Sequence, residues 1–274
     1  MEFAFVAAIF GILIGSFLNV IILRLPKGED IVFEPSHCPT CKTKLKPWHN
    51  IPLLSYIFLK GKCAFCQEKI SWQYPLVEIL NGVVFFFIAL KYGSFSLALI
   101  FILLSFSMLL ALTFIDLKYQ MVPDSLNLLA IVFAIFGAWN FNGIIQNFQN
   151  ALLFAGGFTL LRFTLSYFLT SSYHRAMKKT QTSWNKHYDR TPFVEAMGEG
   201  DIMVAATMGA LLGIPLTLVA IFLSAVLALP IMLFMQQQTN KEVRVAYVPF
   251  LTIATFIVML FDAPIMHYIN NTHY

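Results

Sequence analysis

Apolar runs recur from one end of the chain to the other, and they decide what it can fold into. Eight stand out, at residues 3–23, 75–92, 95–115, 126–142, 150–172, 201–213, 215–235 and 246–263. A bilayer-spanning helix needs about 20 such residues, so several of these are short and 201–213 is the shortest. Only 12% of the 274 residues are charged, about half of what a soluble domain carries. The runs are continuous rather than alternating, which argues against a membrane β-barrel. The expected fold is an all-α polytopic membrane protein of about eight transmembrane helices.

The placement of positive charge orients it. With the N-terminus outside, the inner loops are 24–74, 116–125, 173–200 and 236–245, and they hold 16 of the 18 Lys and Arg residues. Cytoplasmic loops carry such an excess. The first 23 residues have no basic leader region, carry Glu2, and meet Arg24 after the apolar run, so they read as a retained span rather than a cleaved signal. The chain therefore divides into a first span (1–23), a cytosolic loop (24–74) and a membrane core (75–274). Topology accounts for the basic residues, and no nucleic-acid partner is expected.

All four cysteines lie in the first loop, as Cys38-Pro-Thr-Cys41 and Cys63-Ala-Phe-Cys66. Two tight turns presenting two thiolates each suit a tetrahedral zinc site. Permanent disulfides are not expected on the reducing side of the membrane. Redox-active or merely buried thiols are the alternative reading. His37 and His49 lie near the cysteines but are left out of the ligand set.

Acids at the ends of the apolar runs come next. "MGEGDIMVAATMGALLG" (197–213) puts Asp201 at the mouth of a greasy segment, where an ionised carboxylate is costly. Asp116 closes the third run, on the same side and at similar depth, although 85 residues separate the two. Opposed carboxylates can share one proton, one acting as base while the other stays protonated. Such a pair can activate water against a peptide carbonyl, or it can relay ions or protons. Gly198 and Gly200 would leave an open backbone beside Asp201 for a substrate strand. Asp124 follows Pro123 and is most simply a helix N-cap. Glu78 either favours a helix start or has a functional role. Arg162 lies inside a run and needs an acidic or polar partner, and Asp262 sits at the outer end of the last run.

Together these segments resemble the bacterial type IV prepilin leader peptidases, membrane aspartic proteases of the GxGD type. The resemblance covers nearly the whole chain. "GSFLNVIILRLP" (15–26), "SHCPTCKTKL", "NIPLLSY", "GKCAFCQEKIS", "YPLVEIL", "IDLKYQMVPDSLN", "EAMGEGD" and "VPFLTIA" (248–254) follow the family's order. It implies catalytic Asp116 and Asp201; Gly198, Gly200 and Glu78 are the candidate substrate-binding residues beside them. It also implies a zinc-ribbon-like loop ligated by Cys38, Cys41, Cys63 and Cys66. The implied activities are removal of a basic leader from prepilin or pseudopilin precursors and methylation of the freed amine by S-adenosylmethionine, at the cytosolic face of the inner membrane. Where many members carry Lys two residues after the second aspartate, this chain has Met203. The basic segment within 173–200 reads as an accessory lid or a solvated loop. A zinc-ribbon transporter or proton channel using Asp116 and Asp201 as a relay, and an assembly factor that binds a partner through the cysteine loop, are the competing readings.

Overall fold

The structure is a computed structural model that describes residues 1–180, 197–238 and 245–271. Among them it is all-α, with two isolated bridge pairs, His37 with Lys44 and Lys62 with Lys69. The helices are α1 (Glu2–Arg24), α2 (Leu54–Phe58), α3 (Gln73–Tyr92), α4 (Leu97–Tyr119), α5 (Asp124–Gly137), α6 (Trp139–Asn142), α7 (Ile144–Thr180), α8 (Glu199–Gln238), α9 (Val248–Leu260) and α10 (Asp262–Asn271). Five are long and apolar enough to cross a membrane, or six if α9 and α10, bent by 77°, count as one span. In hydrocarbon every backbone polar group must be satisfied within the segment, and a helix does this for any apolar sequence, including runs rich in Phe and Ile.

Local signals set several ends. The Ser96 hydroxyl accepts the Leu99 N–H at 3.1 Å and starts α4. Gly93 and Gln120, both left-handed, close α3 and α4. The N-cap expected of Asp124 is corrected: Pro123 holds that position, and Asp124 is the first helical residue without a capping bond. The fifth apolar run, 150–172, proves to be the middle of the 37-residue α7. Such a helix is about 55 Å long, so its polar last turns extend beyond a bilayer core of about 30 Å.

α4 is the hub. Phe106, Leu109, Leu112 and Ile115 are fully enclosed by its neighbours. Polar side chains cross-link it. Asn81 on α3 donates to the Gly11 carbonyl of α1 at 2.8 Å and accepts from Ser107 of α4 at 3.1 Å. Ser105 donates to the Ala130 carbonyl at 3.0 Å, and Thr113 donates to Thr252 at 3.1 Å. Between membrane helices such bonds are worth roughly 0.6–2 kcal/mol each.

The runs at 201–213 and 215–235 form one element, α8, broken at Gly213, where φ is 73° and ψ 179°. Thr217 donates both to the Gly213 carbonyl, at 2.6 Å, and to the Met208 carbonyl, at 3.1 Å. Nine residues of straight helix would put Thr217 about 13 Å from Met208, so the chain turns back at Gly213. The two ends of the bundle confirm the turn. Residues 211–216 line a cavity with Tyr92 and Asp262. Ser224, in the second arm, meets the Tyr247 hydroxyl at 2.9 Å, beside the start of α9.

Candidate active site and metal centre

Asp116 lies one turn before the end of α4 and is buried. Its Oδ2 accepts the Val248 N–H at 3.2 Å, and the Tyr247 N–H reaches the same carboxylate. These amides are free because they open α9, where the first turn has no intrahelical acceptors. Asp201 sits in the first turn of α8 and reaches back to the Gly198 backbone, as an acid at the third helical position does in a capping box. The carboxylates of Asp116 and Asp201 lie close enough to act on each other as like charges. The bundle thus brings together the two acids picked out by the sequence.

The two glycines do different things. A Cβ at Gly200 would lie 2.3 Å from the Val122 Cβ, so this position is filled by the chain itself. Gly200 lets the first turn of α8 close against the segment leading into α5. At Gly198 the nearest atom to a Cβ would be Asp201 Oδ2, at 3.5 Å, so that glycine borders the carboxylate. Arg162, on α7, pairs with Glu199 at 2.8 Å. A cation therefore stands next to the aspartate-bearing turn although position 203 is methionine.

The loop after α1 is organised by two matching turns. Cys38 N–H bonds the Thr43 carbonyl at 3.1 Å and Cys63 N–H bonds the Glu68 carbonyl at 2.8 Å. Lys42 and Gln67, each the residue after the second cysteine of a pair, are left-handed, with φ 56° and 59°. The sulfurs of Cys38, Cys41, Cys63 and Cys66 all lie within 4.8 Å of one another, and Cys38 to Cys66 is 3.8 Å. A disulfide needs about 2.05 Å. Four sulfurs about 2.3 Å from a central ion, the Zn–S distance, sit about 3.8 Å apart, so the donor set fits a tetrahedral thiophilic metal. Hydrogen bonds from Thr43 lower the Cys41 thiol to about 6. Cys66 has a favourable bond from the Glu68 backbone, yet desolvation and its three sulfur neighbours push it up to about 12. Without a cation the cluster cannot hold four thiolates. His37 turns to Pro35 and Glu34 instead, and the His49 ring packs against Trp48 and Phe65.

Glu78 is buried in α3, sixth in the helix rather than at its start. Its Oε2 accepts the Leu53 N–H at 2.8 Å, and Ser16 of α1 also bonds it. It fastens the loop to the first two spanning helices and stands apart from the aspartates in these contacts. Arg24 has a structural role beside the cysteine turns that the sequence does not signal. Buried at the end of α1, it donates to the carbonyls of Asp30, Glu34 and Pro35 at 2.8, 2.7 and 3.1 Å, folding the chain ahead of Cys38. A cation at a span end reads as a topology signal, which hides such a role. Val122 and the amides of Tyr247 and Val248 were equally hidden, because an apolar side chain and backbone N–H groups carry no chemical signature. The basic segment within 173–200 lies mostly outside the described residues. Asp262 pairs with Lys91 at 2.6 Å, at the far end of the bundle.

Residues 9–92 match the bacterial peptidase A24 N-terminal domain, and residues 102–233 match the type IV leader peptidase family. The chain is 32% identical to the prepilin leader peptidase/N-methyltransferase of Neisseria gonorrhoeae, over 96% of this chain and 92% of the relative. It is 31% identical to the protein of that name from Legionella pneumophila, over 96% and 93%. The protein of that name from Xanthomonas campestris pv. campestris is 32% identical, over 92% and 89%. No solved structure matches.

Proposed function

The chain belongs to the type IV leader peptidase family, and we propose that Asp116 and Asp201 are the pair that performs its cleavage step. The protein is a membrane protease that removes the leader from prepilin-type precursors and N-methylates the new N-terminus. The observation that supports the assignment is that the Asp116 and Asp201 carboxylates, from α4 and α8, lie within electrostatic reach of each other at one end of the bundle. One carboxylate takes a proton from water, and the oxygen adds to the scissile carbonyl carbon. The other donates its proton to the carbonyl oxygen. The tetrahedral intermediate then collapses, the C–N bond breaks, and the leaving amine takes a proton from the dyad. Backbone donors from Val248, Tyr247 and Gly198 fix both carboxylates, which supplies the positioning such a step needs. Ion or proton relay, the other use of the same acids, finds no support in these relatives.

The freed α-amine is the nucleophile for methylation. S-adenosylmethionine would supply the methyl group, its S–CH3 bond breaking to release the thioether S-adenosylhomocysteine as the C–N bond forms and the amine loses a proton. Pilin and pseudopilin precursors are the substrates we assign. We assign zinc to Cys38, Cys41, Cys63 and Cys66, where it would hold the two turns together. Eight crossings follow if the arms of α8 and the short α5 each cross and the bent α9–α10 pair crosses once. The cysteine loop and the dyad then share the cytosolic face of the inner membrane, consistent with the 16-of-18 basic bias. Glu78 and Gly200 support the loop and the α8 turn, and Gly198 borders the Asp201 carboxylate.

Asp116→Asn and Asp201→Asn tests the assignment. Each should abolish cleavage of a co-expressed precursor while the protein stays in the membrane, and the double variant should be no worse than either single one. Near-normal cleavage by either single variant removes that aspartate from the dyad. A topology reporter fused near Lys46 should score as cytosolic, and an external score would overturn the orientation.

A further inference from the structure

α2 is a short helix with its greasy side outward. Leu54, Ile57 and Phe58, spaced i, i+3 and i+4, share one face, and Ile57 and Phe58 are 68% and 80% exposed. The other side is anchored. The Tyr56 ring packs on Trp72 with centroids 5.7 Å apart, and its hydroxyl donates to the Ile70 carbonyl at 3.4 Å. Trp72 is the residue that opens α3, and it is 77% exposed.

The anchor also sets depth. The Leu53 amide, directly before α2, bonds Glu78 at 2.8 Å. Glu78 is the sixth residue of α3, so it lies about 8 Å inside that spanning helix. α2 therefore cannot stand off in solvent. It lies level with the end of a transmembrane helix, where Trp side chains collect and amphipathic helices rest their apolar face. The charge around it fits one surface. Residues 24–74 carry eight Lys and Arg against four acids, with Lys60 and Lys62 directly after α2.

We propose that α2, with Trp72, docks the cysteine loop onto the anionic lipid surface of the membrane that the chain itself spans. Leu54, Ile57 and Phe58 enter the boundary between headgroups and acyl chains, and Lys60 and Lys62 meet lipid phosphates. The loop is thereby held down beside the bundle from two sides, by Glu78 from within and by lipid from without. This surface is separate from the aspartates and from the thiols, so it goes beyond the activity assigned above.

The full-length, metal-loaded protein is placed in nanodiscs of phosphatidylcholine alone or with phosphatidylglycerol. A trace of lipid carrying a photoreactive group at the headgroup boundary is added, and adducts are mapped by mass spectrometry. Both leaflets have the same composition, so the result does not depend on which face the loop occupies or on whether the dyad assignment holds. Adducts are expected on residues 54–58 and Trp72, with a yield about fivefold higher in anionic discs. In Ile57→Asn, Phe58→Asn protein these adducts should fall to background while labelling of α1 and α3 persists, with retained metal reporting that the loop is folded. The wild-type comparison stands even if that variant misfolds. Background labelling of 54–58 in anionic discs, or equal labelling in both lipids, would each overturn the proposal.

Discussion

The cysteine cluster and the aspartate pair are built in opposite ways. Each cysteine pair is held by a turn of a few residues, closed by its own backbone bonds to Thr43 or Glu68. Two such turns make the whole site within 29 residues, from Cys38 to Cys66. The aspartates are 85 residues apart, and nothing local holds them together. Their meeting depends on α4, on the start of α8 packed on Val122, and on the first amides of α9. The cluster fails if a thiol is lost, whereas the pair fails if helix packing shifts, even with both acids intact. This gives the two halves of the molecule different weak points.

The largest effect away from the acids themselves should come from packing. Gly200→Ala drives a methyl into Val122, and displacement of a catalytic group by about 1 Å can cost about 100-fold. Leader cleavage should drop by about that factor, and Val122→Ala in the same protein should restore part of it. No rescue would mean that Gly200 acts on substrate rather than on packing.

Removing the metal should come next. A chelator, or Cys38→Ser with Cys41→Ser, should loosen residues 36–70 in hydrogen exchange while α4 and α8 keep their protection. Equal loss of protection in the helices would erase the distinction between the two regions.

Glu78→Ala should be milder. It leaves the Leu53 amide without its acceptor, a loss worth roughly 1–3 kcal/mol. Exchange at residues 51–55 should rise while metal stays bound. Smaller still is the effect expected at Arg162. Its partner Glu199 is 79% exposed, and such pairs contribute about 0–1 kcal/mol. Glu199→Gln should change cleavage less than about threefold.

A last, subtle prediction concerns protons. At pH 7 the metal-free loop holds Cys41, at about 6, as thiolate and Cys66, at about 12, as thiol. Metal loading therefore expels the Cys66 proton, and affinity weakens as pH falls through about 6, where Cys41 also protonates. Proton release measured on loading should be at least about one per metal.

The same contrast explains what could be read from the chain alone. CxxC turns are local, so their spacing announces which four thiols come together. Helical character was legible because long, continuous apolar runs can cross a bilayer only as helices. The dyad could be named only as two acids at like depth, since composition does not say which helices touch. The fold-back at Gly213 shows in the sequence only as two apolar runs, 201–213 and 215–235. The backbone at Gly213 and the bond from Thr217 to Met208 reveal how they join. Glu78 was suspected of function for its charge, yet its observed contacts tie the loop to the bundle, which depends on a backbone amide 25 residues away.

The central claim is that cleavage belongs to the membrane carboxylates, which need no metal to activate water, and we infer from its separate construction that the cysteine loop serves the methylation step. It is tested most directly by weighing the N-terminus of one precursor after incubation with S-adenosylmethionine and either Cys63→Ser, Cys66→Ser protein or Asp201→Asn protein. The account predicts a cleaved but unmethylated product from the cysteine variant and an intact precursor from the aspartate variant. An uncleaved precursor with a folded cysteine variant, a normally methylated product from it, or cleavage by the aspartate variant would contradict the account.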